Sequence, residues 1–373
     1  MSSQANLATD WRAGYGPIAH RSETIERMQA LVQRLVAQRR IADEASAHAL
    51  LAAADRVACT AMSVVAPMTY AGRLDRSGCP LGSDDFKQTP EGHTGGSLNM
   101  VPAFVGYLLA NALTGTTRGW LMGQGHCVAA IEAVNALTGD VSAAQRGRYD
   151  RSEAGLSLLI GDFYSYAIDK QGRPAVPLGS HAGPNTAGAI SEGGYLGFAG
   201  LQYVHTPLPG ESLVAFLSDG AFEEQRGSDW APRWWRAEDC GFAIPVMILN
   251  GRRIEQRTQI VQEGGAAWLA EDLRHNGFDP VIVDGRDPVA IAWAIVEAED
   301  TLSAFAARSD RRYPVKLPYV IAETEKGFGF PGAATNAAHN LPLDGNPREH
   351  APAREAFNAG AAALSVPEIE LEN

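Results

Sequence analysis

Apolar and polar positions along the chain follow two different periods, and each period marks its own kind of segment. Residues 22–39 place Ile25, Met28, Leu31, Leu35 and Val36 on one face at helical spacing, and the alanine-rich stretch 42–65 continues as a second helix. Both predict helices packed together at the start of a domain. Residues 70–96 are rich in Gly, Pro and Asp and show no period. They predict a long loop, of the kind that often carries function, running straight into an apolar helix over 98–113.

From about residue 156 the pattern changes. Short β-like runs stand at 213–217, 244–249, 280–283 and 317–322, with helices predicted between them at 265–275 and 287–307. Strands alternating with helices predict an α/β fold built on a parallel sheet covered on both faces. Ligands of such sheets bind at the carboxyl ends of the strands, so the residues following each apolar run are the ones to inspect. The expected organisation is a helical segment over 1–66, a main domain over 67–348 and a loosely held tail over 349–373.

Composition removes some classes of function. With 373 residues, 45% of them apolar, the chain can bury a large core. Its 31 basic and 43 acidic side chains give a net charge of -12, which argues against nucleic acid or an anionic membrane as the main partner. Residues 1–21 contain no apolar signal-like run, and no uninterrupted apolar stretch reaches about eighteen residues, so a cytoplasmic location is expected. Cys59, Cys79, Cys127 and Cys240 are widely spaced and form no CxxC pair. Reduced thiols are expected, with neither a zinc site nor a disulfide framework.

The chemistry gathers behind two strands. Ser218-Asp219-Gly220 follows the run 213–217, and Asn250-Gly251-Arg252 follows the run 244–249. Mg²⁺ takes octahedral oxygen ligands and combines side-chain and backbone oxygens with phosphates and water. Asp219, Asn250 and the Arg252 carbonyl would supply three of those oxygens. The same dipeptides, D-G and N-G, also close ordinary turns. Of the nine histidines, His93, His126, His181 and His339 lie in Gly- or Ser-bearing loops at element boundaries, where imidazoles reach ligands. His20, His48, His205, His275 and His350 read as surface or packing residues. Trp230, Trp234 and Trp235 read as core or interface, and Arg252, Arg253 and Arg257 as a solvated loop face that could also meet a substrate phosphate.

Asp-Gly at a strand end, with Asn about thirty residues later, resembles the diphosphate anchor of thiamine-dependent enzymes. Further motifs extend the resemblance in order. Glu91-Gly92-His93-Thr94-Gly95-Gly96 and Gly123-Gln124-Gly125-His126 are similar to the two early Gly-His motifs of transketolases and phosphoketolases. Ser180-His181 and Ser191-Glu192-Gly193-Gly194-Tyr195-Leu196-Gly197 resemble phosphoketolases more closely. Lys326-Gly327-Phe328-Gly329 and Ala338-His339-Asn340-Leu341-Pro342-Leu343 match the end of the same domain.

The resemblance implies a thiamine-diphosphate-binding (PP) domain holding thiamine diphosphate with Mg²⁺, for which Ca²⁺ or Mn²⁺ could substitute. The implied metal ligands are Asp219, Asn250 and Arg252. Gly125, Gly193, Gly194, Tyr195, Leu196, Gly220, Ala221, Glu224, Asn250, Lys326 and His339 are the implied cofactor contacts. His93, His126, His181 and His339 would line the substrate channel and move protons, a role that suits a pKa near neutrality.

In the family a glutamate touching the pyrimidine ring comes from a second domain on another chain of the dimer. This chain stops where that domain would begin. The expectation is a split enzyme: a separate pyrimidine-domain subunit in an α2β2 assembly, acting on a ketose or oxoacid substrate. Ala221 stands where phosphoketolases carry glutamate, and Cys127-Val128 replaces glycines after the second Gly-His. Ketol transfer is therefore expected ahead of phosphoketolase chemistry. A phosphoketolase-like or 2-oxoacid-decarboxylating subunit, and a regulatory subunit that keeps only the fold, are the alternatives.

Overall fold

A computed structural model describes residues 10–143, 145–176, 207–225 and 235–372. Helix α1 (Ser22–Ala37) buries Met28, Leu31, Val32 and Leu35, one stripe at helical spacing. Asp43 caps helix α2 (Glu44–Tyr70) by accepting from the Ser46 amide at 2.7 Å. α2 runs on past the boundary expected after residue 66. Helix α3 (Thr94–Thr114) is apolar almost all round and correspondingly buried on nearly every side. By length and composition α2 and α3 are apolar enough to cross a membrane, yet 67% and 83% of their most apolar windows are buried inside this fold.

Strand β1 (Gly119–Met122) comes next, followed by helices α4 (Val128–Thr138) and α5 (Glu153–Asp162). The sequence did not predict β1: four residues, only the last of them buried, carry too short a period to read. The remaining strands are β2 (Ser212–Ser218), β3 (Phe242–Leu249), a two-residue hairpin of β4 (Arg252–Arg253) and β5 (Gln256–Arg257), then β6 (Phe278–Asp284) and β7 (Leu317–Glu323). β1, β2, β3, β7 and β6, in that order, form one sheet in which every neighbouring pair is parallel.

Successive side chains leave opposite faces of this sheet, so each strand feeds two cores. Val214, Phe216, Ile244, Val246, Ile248 and Val320 join the core built with α2, α3, α4 and the helix Pro288–Ala306. Leu213, Ala215, Leu217, Met247, Leu249 and Ile321 face the helix Ala266–His275. Burial on both sides is why β3 reads as a continuous apolar run instead of an alternating one. The α/β fold is as expected.

Two expectations need correction. Of the stretch expected as a loose tail, residues 349–372 are packed: they include the helices Ala351–Ala363 and Glu368–Glu372, with Phe357 and Leu364 fully buried in the main core. Apolar residues spaced among alanines gave too weak a period to show this. His20, read as a surface or packing residue, is a buried ionic bridge. Its Nε2 lies 3.0 Å from Asp55 and its Nδ1 3.0 Å from Asp287. Those carboxylates hold the ring's proton and push its pKa up to about 10 against the opposing effect of burial. Asp287 also caps the helix Pro288–Ala306, so the bridge ties the N-terminal segment and α2 to that helix.

Candidate active site

Because the sheet is parallel, the chain leaves β1, β2, β3 and β7 at one edge, and the four loops there converge on a cavity of about 350 Å³. After β2, Asp219 opens a short helix. After β3, Asn250 and Gly251 turn the backbone, with Gly251 at φ 77°, a left-handed conformation suited to glycine. That turn aims the Gly251 amide at Asp219, and it donates to Oδ2 at 2.7 Å. Thr258 supports the same oxygen from its hydroxyl at 3.4 Å. Two motifs distant in sequence are thereby locked together.

Asp219 is almost completely buried, and its Oδ1 has no hydrogen-bond partner among the described residues. Burial raises its pKa to about 6, against the Gly251 amide and Lys326, which favour the carboxylate. The Asn250 side-chain oxygen accepts from the Arg252 amide at 3.1 Å, and the Arg252 carbonyl accepts from Lys326 Nζ at 3.2 Å. Each oxygen keeps acceptor capacity beyond the bond it makes. An orphaned buried carboxylate oxygen beside an amide oxygen and a carbonyl is an oxygen donor set of the kind Mg²⁺ takes. Arg252, Arg253 and Lys326 also line the cavity and supply positive charge for an anion such as a diphosphate. Arg252 and Arg253 are thus part of the cavity wall, while Arg257, as expected, is exposed.

Three of the four loop histidines meet in this cavity. Ring centroids of His93 and His126 are 5.1 Å apart, and His339 lies 5.6 Å from each. His93 precedes α3, His126 follows β1, and His339 arrives from the loop after β7. Lys326 Nζ is 2.7 Å from His339 Nδ1. An ammonium only donates, so Nδ1 is the acceptor and the ring's proton sits on Nε2. Burial first, then Lys326 and the two other imidazoles, depress the His339 pKa to about 3. His339 is therefore neutral at physiological pH, its pKa lying below the near-neutral value that suits the proton-moving role the resemblance implies.

The fit of the loops depends on Gly95. A Cβ there would stand 2.1 Å from the Ala338 carbonyl oxygen, so only glycine admits the segment bearing His339 against α3. Asn99, one turn further along α3, donates to the Glu325 carbonyl at 2.8 Å and accepts from the Gly327 amide at 3.3 Å. Gln124 lines the cavity, and its Oε1 has no partner among the described residues. Sequence reasoning passed over the role of Asn99, because a single polar residue inside an apolar helix shows that it is satisfied but not by what. Gly220 and Ala221 line the cavity from the first turn of the helix Asp219–Gln225, and Gly125 opens the short turn Gly125–Cys127 after β1. His181 and Gly193, Gly194, Tyr195 and Leu196 fall outside the described residues, and Glu224 is placed only by its backbone in the helix Asp219–Gln225.

Comparison with known proteins gives one family, described as the XFP N-terminal domain, whose profile matches residues 48–358. The chain is 32% identical over 185 residues to a protein named probable phosphoketolase from Streptomyces coelicolor, covering 44% of this chain and 23% of that protein. To probable phosphoketolase 2 of Lactiplantibacillus plantarum it is 26% identical over 297 residues, 73% of this chain and 35% of the relative. It spans only about a quarter to a third of the curated relatives it matches. Among solved structures, a transketolase from Campylobacter jejuni aligns with a TM-score of 0.48 at 15% identity, over 86% of this chain and 47% of that one. A transketolase from Pichia stipitis gives 0.45 at 17% identity, over 86% and 45%.

Proposed function

The chain belongs to the XFP N-terminal domain family of the thiamine-diphosphate-dependent transketolase and phosphoketolase superfamily, and from that premise we propose that it is the diphosphate- and metal-binding subunit of a two-carbon-transferring enzyme. The observation that carries this reading is the clamp at the ends of β2 and β3, where the Gly251 amide holds Asp219 beside Asn250 and the Arg252 carbonyl. Asp219, Asn250 and the Arg252 carbonyl would hold Mg²⁺, while Lys326 and Arg253 would face the diphosphate. When bound, thiamine diphosphate supplies a nucleophilic carbon that accepts and releases the two-carbon unit.

The residues of this chain bind, orient and move protons. His93 and His126, which line the cavity with ring centroids 5.1 Å apart, would hydrogen-bond the hydroxyl groups of a ketose phosphate donor. His339, kept neutral with its proton on Nε2, can donate to a substrate oxygen without placing a charge in the cavity. We propose that a separate subunit carries the glutamate that contacts the pyrimidine ring and covers this cavity in an α2β2 assembly.

Two acceptors fit the proposal. Transfer to an aldehyde follows from Ala221 and Cys127, which depart from the phosphoketolase pattern. Capture by inorganic phosphate is the second reading, favoured by the names of the curated relatives. The test is calorimetry of thiamine diphosphate with Mg²⁺ on the chain, followed by product analysis with its partner subunit. Metal-dependent binding supports the reading, and its absence overturns it. Acetyl phosphate formed from a ketose phosphate and inorganic phosphate would select the second acceptor.

A further inference from the structure

A second cavity, of about 280 Å³, opens between α2, the loop 74–81 and the C-terminal helix Ala351–Ala363, and it shares no lining residue with the first. Its walls are mostly apolar: Pro67, Leu74, Leu81, Phe357, Ala362 and Val366 all contribute. The polar groups around it are largely occupied. Thr60 donates its hydroxyl proton to the Arg56 carbonyl at 2.8 Å, and Ser63 donates to Thr60 at 2.7 Å. Asn358 accepts from the Leu81 amide at 2.9 Å and donates to the Leu81 carbonyl at 3.1 Å. Asp75 Oδ1 is taken up by the amides of Ser77 and Cys79 and by the Ser77 hydroxyl.

Arg76 is the exception. Its side chain is only 6% exposed. Nη1 donates to the Arg151 carbonyl at 3.1 Å and lies 3.4 Å from the largely exposed Glu368. Nη2 is buried and has no partner among the described residues, and it is the lone buried polar atom of this wall in that state. A desolvated guanidinium with one nitrogen, Nη2, still lacking an acceptor in an otherwise satisfied, apolar wall suits an anionic oxygen attached to a hydrocarbon body. We propose that this cavity binds a small amphipathic carboxylate, its oxygen on Arg76 and its chain against Leu81 and Phe357.

Octanoate is the probe, titrated into the purified full chain by calorimetry, with octanol as its uncharged counterpart. Saturable binding at a single site is expected, weakened about tenfold or more in Arg76→Met through loss of the charge-assisted bond. Octanol should bind the wild-type chain no better than octanoate binds that variant. Ala362→Phe, which fills the cavity and leaves Arg76 in place, should abolish binding. Octanoate should also slow the reaction of the exposed thiol Cys79, on the cavity's edge, with a thiol reagent. Equal affinity for acid and alcohol, unchanged binding in Ala362→Phe, or no saturable binding by the wild-type chain would each overturn the proposal. Should Arg76→Met fail to fold, the comparison of acid with alcohol and the Ala362→Phe variant still decide. Neither readout depends on thiamine diphosphate, so the result is independent of the function proposed above.

Discussion

Lys326 and His339, thirteen positions apart on the loop after β7, face each other with the ammonium 2.7 Å from the imidazole Nδ1. Lys326 also reaches the Arg252 carbonyl at 3.2 Å, so one cation links the proposed metal ligand to the histidine cluster.

Removing that cation should change the histidine. In Lys326→Met the His339 pKa is expected to rise from about 3, because a positive charge that opposes protonation is gone. It should stay below the ordinary histidine value, since burial is the larger cause and remains. The titration of the His339 ring protons by NMR measures this, and an unchanged midpoint would contradict the assigned contact.

Asp219→Ala removes both the orphaned oxygen and the acceptor of the Gly251 amide. Metal-dependent binding of thiamine diphosphate should fall by at least the roughly 10–100-fold seen when residues that merely support metal ligands are changed. Calorimetry at fixed Mg²⁺ reads the loss. Equal affinity in the variant would remove Asp219 from the site.

Gly95→Ala places a methyl group where the Ala338 carbonyl stands. Backbone cannot rotate away as a side chain can, so a destabilisation of about 1–3 kcal/mol is expected. The segment bearing His339 should shift with it. Chemical denaturation gives the first quantity, and the His339 ring signals report the second.

The His20 bridge makes stability depend on pH in a defined direction. Its pKa is raised from 6.5 to about 10, so its contribution is full below 6.5 and is lost as pH rises through about 10. His20→Gln leaves Asp55 and Asp287 without the shared cation and should cost about 3–5 kcal/mol at neutral pH. Between pH 7 and 10 the wild-type chain should lose stability faster than the variant, and parallel curves would refute the bridge.

Much of this was legible without coordinates. The apolar runs located β2, β3 and β7 to within a residue or two, and the residues behind β2 and β3 proved to line the cavity, because a parallel sheet delivers strand ends to one edge whatever the helices do. His93, His126 and His339 could be named from local sequence, since imidazoles in Gly-bearing loops stand out from apolar surroundings, whereas Lys326 was named only through the resemblance of its motif to the family.

What the sequence could not decide was who meets whom. His20 looked like any polar residue near the N-terminus, and only folding brings it between Asp55 and Asp287, whose carboxylates hold it as a cation although burial opposes the charge. The helix Ala351–Ala363 acquires its apolar face from the core it covers. The depressed pKa of His339 arises first from exclusion of water and then from Lys326 and the two imidazoles packed around it, none of which is encoded in its neighbours along the chain. Period and composition are local properties and survive in the sequence, whereas proximity and dielectric environment exist only after the chain has closed on itself.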